Sequence, residues 1–150
     1  MLFLCLVFPG PAFTQQKIGE IPAVKRIIQG DDKIIILAIP DPENPFITCY
    51  VTHIISGEFF AAADPSNNSI AVRLTGKIPR DEKRNMLVNK KTNLNIFSLE
   101  KSIGSKELRI ARHYDAERKT LIYTVYSTKW LGGSLKHSVS AVVLRDDAQE

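Results

Sequence analysis

Cys49 and His53 lie four residues apart in the stretch ITCYVTHI, and a cysteine beside a histidine is a combination that can act as nucleophile and base or ligate a metal. The stretch alternates as a β-strand does, which sets both side chains on one face but separates them by about 13 Å along the chain. One ion cannot bridge that distance. His113 and His137 complete a set of three histidines, the number that holds a catalytic zinc, yet no motif or spacing brings His53, His113 and His137 together. The acidic stretches DPENP and DPSNN lack the alternating carboxylates and the glycine of a calcium loop. Nucleophilic catalysis has no better anchor: there is no Gly-x-Ser-x-Gly elbow, and Ser134 follows a plain Gly-Gly turn. Neither a phosphate loop nor a dinucleotide fingerprint is present. The expectation is a protein that is not an enzyme and carries no cofactor. The alternative is a small enzyme or metal-binding protein using the three histidines.

Charge offers a lead toward binding. The chain has a formal net charge of +4, and the run KIPRDEKRNMLVNKK, residues 77 to 91, holds an excess of the same size: Lys77, Arg80, Lys83, Arg84, Lys90 and Lys91 against Asp81 and Glu82. Such a run is ordinarily a solvated loop, and as a binding patch it would meet an anionic partner. No stacking aromatic motif accompanies it, so nucleic acid is not the expected partner. Tyr123 and Tyr126, three positions apart, should face opposite sides of a strand, Tyr123 toward the core and Tyr126 toward the surface.

The N-terminus MLFLCLVFPGPAFTQQ places an apolar segment, Leu2 to Phe8, before Pro9, Gly10 and the small Ala12. That order resembles a signal peptide over residues 1–12, although the first cationic residue is Lys17 and no charged region precedes the apolar run. Spanning a bilayer takes about 20 apolar residues, so neither this run nor any later one reads as a transmembrane helix. The expectation is export, with residues 13–150 as a single domain and an envelope protein or anionic envelope component as the partner of the basic run.

The elements that must carry these residues have a period of two. KIIILAI, residues 33–39, is apolar on both faces, as in a central strand covered on both sides. Residues 47–54, 70–75, 108–114, 120–127 and 137–144 alternate, and β-branched and aromatic residues dominate them. Gly30-Asp31-Asp32, Pro40-Asp41-Pro42, Asp64-Pro65-Ser66 and Leu131-Gly132-Gly133 punctuate them as turns. YDAERKTLIY reads as a hairpin, with Asp115 accepting from turn amides. In IPAVKRIIQG a short helix and a strand over residues 23–29 compete, and the strand, paired with residues 33–39 through Gly-Asp-Asp, is favoured. The whole predicts an all-β, single-domain antiparallel β-sandwich or flattened barrel of seven or eight strands, with room for one short helix.

The stretches IGEIPAVKRIIQGDDKIIILAI, TCYV, IAVRLTGKI, KKTNL, HYDAERKTLIYTVYSTKW and SVSAV, in that order, resemble the CreA family of exported periplasmic proteins of Gram-negative bacteria. The resemblance implies a signal peptide and a periplasmic location. It implies no reaction and no catalytic residues, and the family's label refers only to a locus of catabolite regulation. It also implies a fate for Cys49: relatives carry a second cysteine in an IACRQVGPI-like stretch, where this chain has Val72. A bridge between positions 49 and 72 would close a loop worth about 3 kcal/mol if unstrained. Without it Cys49 is expected to be a buried, unreactive thiol beside Val72. Departures from the family include Gly133-Ser134-Leu135-Lys136-His137 and the stretch SLEKSIGSKE, which reads as an insertion before the strand at Leu108.

Overall fold

A computed structural model describes residues 15–25, 30–55, 68–81, 94–101, 106–128 and 136–144. Eight strands form two four-stranded antiparallel sheets. β1 (Gln16–Val24), β2 (Asp32–Pro40), β3 (Ile47–Ile55) and β4 (Asn68–Leu74) follow one another in the first. β5 (Leu94–Lys101), β6 (Lys106–Asp115), β7 (Thr120–Ser127) and β8 (His137–Val143) do so in the second. The architecture is a sandwich and not a closed barrel, because the sheets meet along β4 and β8 without sharing a backbone ladder.

Alternation builds the core from both inner faces. Ile35, Leu37 and Ile39 of β2, Ile47, Cys49 and Val51 of β3 and Val72 of β4 pack over Leu108 and Ile110 of β6 and Leu121, Tyr123 and Val125 of β7. KIIILAI does supply a central strand, but its outer residues Ile34 and Ile36 are only half-buried. Tyr123 points inward with no exposed surface, and Tyr126 lies half-buried on the opposite face. Leu74 shares a face with Val72 yet stays 46% exposed, because it ends its strand.

Two sequence expectations are corrected. The strand that pairs with β2 is Gln16–Val24, from Gln16↔Ala38 to Val24↔Asp32, so it begins seven residues before the expected Ala23; of residues 23–29, 26–29 lie outside the described residues. No helix starts at Ile21, which is extended. An edge strand accepts Pro22 because the missing N–H costs no ladder bond. Bulges at Ile18 and Ala23 offset the alternation that the sequence reading relied on. Within SLEKSIGSKE, Ser98–Lys101 ends β5 and Lys106–Glu107 begins β6, with Glu100 opposite Glu107. The bulge between Asn95 and Phe97 hides this strand's period.

Candidate functional site

β2 ends at Pro40, and the chain turns through Asp41-Pro42-Glu43-Asn44. Aspartate before proline is a favoured turn opening: proline presets the next φ, and the carboxylate can bind amides two and three residues on. Both features are used. The Asn44 amide donates to the Asp41 carbonyl at 3.1 Å, while the amides of Glu43 and Asn44 donate to Asp41 Oδ1 at 2.9 and 3.2 Å. Asn44 Nδ2 donates to Oδ2 at 3.2 Å. The Asp41 amide itself donates to the Ile47 carbonyl at 2.9 Å, which closes the loop onto β3.

From the other sheet come two partners that the β6–β7 register holds side by side, Arg112 opposite Tyr123. Arg112 Nη1 lies 2.7 Å from Asp41 Oδ1 and 2.5 Å from Oδ2, and Tyr123 donates its phenolic hydrogen to Oδ2 at 2.7 Å. The second Arg112 nitrogen, Nη2, reaches Glu43 Oε2 at 2.5 Å. Asp41 has no exposed surface and Arg112 only 5%. Burial opposes the arginine's charge, but Asp41 and then Glu43 outweigh it and hold the guanidinium above its ordinary pKa. Burial, reinforced by the Asp41 charge and its hydrogen bond, also drives the Tyr123 hydroxyl far above the normal tyrosine range. Cys49 feels the same surroundings: burial first and the Asp41 charge second push its thiol up to about 12.

The chemistry of this cluster follows from its occupancy. The Asp41 carboxylate accepts from three local groups, from Arg112 and from Tyr123. The arginine supplies the counter-charge to the carboxylate, and the thiol is protonated at neutral pH. Together these groups form a charged clamp between the sheets and not a nucleophile with a base.

Residues singled out in the sequence fall elsewhere. Cys49 is buried directly opposite Val72. The Val72 amide donates to Ser140 Oγ at 3.0 Å, so it points away from β3 and the Cys49/Val72 pair is of the non-hydrogen-bonded kind. His53 is buried on the inner face of the first sheet, whereas His113 and His137 lie on the outer face of the second. They do not converge, and among the described residues no group of three or more histidine, cysteine or acidic side chains is placed to hold a metal. Lys77 and Arg80 are exposed on either side of Ile78, whose side chain is in the core. Lys83, Arg84, Lys90 and Lys91 lie outside the described residues, as do Ser134 and residues 1–12.

Comparison with known proteins places this arrangement in a family. The profile of the CreA protein family matches residues 18–147, which takes in both sheets. The chain belongs to the CreA family. Protein CreA of Escherichia coli strain K12 is 34% identical over 146 residues, covering 95% of this chain and 92% of that protein. Protein CreA of the O6:H1 and O157:H7 strains matches to the same extent. No solved structure matches. The span matched to the CreA family includes both Asp41 and Arg112.

Sequence reading missed that clamp, though two signals existed. Asp41 stands between two prolines, and Arg112 occupies an inward position in the alternation Leu108, Ile110, Arg112. A charge on a core-facing phase calls for a buried partner.

Proposed function

We propose that this CreA-family protein is exported to the periplasm and acts there as a non-enzymatic interaction module, with the basic run meeting an anionic envelope component. The observation that carries the reading is the saturation of the buried polar cluster. Asp41, Arg112 and Tyr123 are spent on one another, and the Cys49 thiol, at about 12, is not a nucleophile at neutral pH. Such a cluster holds a shape. The apolar segment Leu2–Phe8 followed by Ala12 supports export, and the +4 excess of residues 77 to 91 supports an anionic partner. No helix among the described residues is long and apolar enough to cross a membrane.

Fractionation of cells by osmotic shock tests the location: release of a shortened chain is expected, and retention of the full chain with the cytosol overturns it. Binding to vesicles rich in anionic lipid or to anionic envelope polysaccharide tests the partner. Binding should weaken as salt rises and fall on Lys83→Glu with Arg84→Glu. Binding that survives both changes overturns the role given to the basic run.

A further inference from the structure

β8 shows its apolar residues to solvent and its hydroxyls to the interior. In HSVSAVV the inward positions are Ser138, Ser140 and Val142, and the outward ones are His137, Val139, Ala141 and Val143. The serines are needed inside: Ser140 receives the Val72 amide and Ser138 lies 3.4 Å from Asn68 Oδ1, which ties β8 to β4. Because side chains alternate, fixing the serines inward commits Val139 and Val143 outward and leaves Val142 against the core. Val139 is 62% exposed and Val143 48%. Register extends this strip across the sheet in four rows: Arg109–Tyr126–His137, Ala111–Thr124–Val139, His113–Ile122–Ala141 and Asp115–Thr120–Val143. The two middle rows are apolar or hydroxylated apart from His113 on β6, one end carries Arg109, and the other carries Asp115.

We propose that this outer face of the second sheet is a self-association surface whose occupant is the same face of a second copy. Consider a two-fold axis parallel to the sheet, midway between the two facing copies, that crosses the strands between the two middle rows. It lays Arg109 over Asp115 of the other copy, Val139 over Ala141, Thr124 over Ile122 and His113 over Ala111, so opposite charges meet at both ends and the centre along β7 and β8 is apolar or hydroxylated. Arg109 is already paired with Glu107 at 2.6 Å, and Asp115 with Arg118 at 3.0 Å. The ends therefore set orientation more than affinity. Three strands about 4.8 Å apart and four rows give roughly 400 Å² per copy, about 800 Å² in total, which is the size of a weak, transient contact and not of a stable one. The pairing is thus a reversible one. The opposite edge is unsuited to the task, because β1 is interrupted by two bulges, contains Pro22 and carries the Lys17–Glu20–Lys33 ion pairs.

Sedimentation velocity on the purified full chain tests the proposal. A concentration-dependent monomer–dimer equilibrium is expected, with a dissociation constant between about 10 and 500 µM. Val139→Asp, at an exposed position, should raise that constant at least tenfold while leaving the circular dichroism spectrum unchanged. Arg109→Glu should raise it several-fold and serves as the second variant if Val139→Asp misfolds. A chain that remains monomeric at about 500 µM overturns the proposal, including the case in which a different protein covers the face. A dimer indifferent to both substitutions overturns it too.

Discussion

Asp41 and Arg112 are 71 positions apart in the chain and meet in the interior through a doubly contacted ion pair, one from the loop between β2 and β3 and the other from β6. The pair joins the two sheets at a point where apolar packing alone would leave their relative placement less defined. Its energetic weight lies in what happens when one partner goes. Asp41→Ala leaves a guanidinium in the core with only the half-exposed Glu43 to answer it, and removal of one member of a buried pair costs about 3–5 kcal/mol. Glu43→Gln should cost under about 1 kcal/mol, since its carboxylate is 43% exposed and screened by water. Urea denaturation of the two variants checks the contrast; equal losses would contradict the assignment of Asp41 as the principal counter-charge.

Tyr123 belongs to the same cluster through one bond. Tyr123→Phe keeps the ring in the core and deletes only the hydroxyl that donates to Asp41 Oδ2. A hydrogen bond to a charged group contributes about 1.5–3 kcal/mol, but Asp41 retains its other donors, so the loss should fall at the lower end. Paired with Asp41→Asn in a double-mutant cycle, the two losses should be less than additive. Full additivity would mean that the hydroxyl acts independently of the carboxylate.

How much of this was legible in the sequence depends on whether a residue acts through its neighbours in the chain or through distant ones. ITCYVTHI and TLIYTVYS announce themselves by period and KIIILAI by its continuous apolar run, because both are local patterns. β5 does not, because the bulge at Ile96 shifts the phase near its start. The opposition of Cys49 and Val72 entered through the family resemblance, and only the register shows the two residues directly across from one another. The clamp could not be read in the same way: Asp41 looked like a turn residue, which it is, and nothing local says that its remaining carboxylate capacity is filled from β6 and β7.

The Cys49 and Val72 positions allow a bridge to be built. The pair is directly opposed and non-hydrogen-bonded, the kind in which Cα atoms lie about 4.5 Å apart, inside the range that a disulfide tolerates. Val72→Cys should therefore form an intramolecular bond with Cys49 on oxidation and add up to about 3 kcal/mol of stability. Mass spectrometry of the oxidised, unfolded protein reports the bridge as a loss of two hydrogens and of alkylation at both sites. Free thiols after oxidation would rule out the pairing.

Lys119 is the one described residue other than glycine with a positive φ, 46°. It closes the turn between β6 and β7, where its carbonyl accepts the Leu144 amide at 2.9 Å. A side chain in that conformation is strained by about 1 kcal/mol relative to glycine, which Lys119→Gly relieves at the cost of more freedom in the unfolded chain. The net expectation is a gain of a few tenths of a kcal/mol, whereas Lys119→Val should lose about 1 kcal/mol or more because branching at Cβ aggravates the clash. Thermal unfolding of both variants separates these effects, and a stable Val variant would show that the turn relaxes.

Alkaline pH should reveal Cys49. Its ordinary pKa of 9.0 rises to about 12 in the fold, so the unfolded chain gives up this proton first. Between pH 9 and 12 the unfolded state binds fewer protons than the native one, and stability must fall as pH rises, by about 1.4 kcal/mol per pH unit for a single group. Below pH 9 the group contributes no slope. Tyr123 adds a second loss that begins near its ordinary value of 10.0, because its pKa is raised as well. Cys49→Ala should accordingly delay the onset of alkaline destabilisation from about pH 9 to about pH 10, measured as the urea midpoint against pH. The same burial should make the native thiol react with a bulky disulfide reagent no faster than the protein opens. Rapid labelling of the folded chain, or an alkaline profile unchanged by Cys49→Ala, would show that the thiol is reached by water.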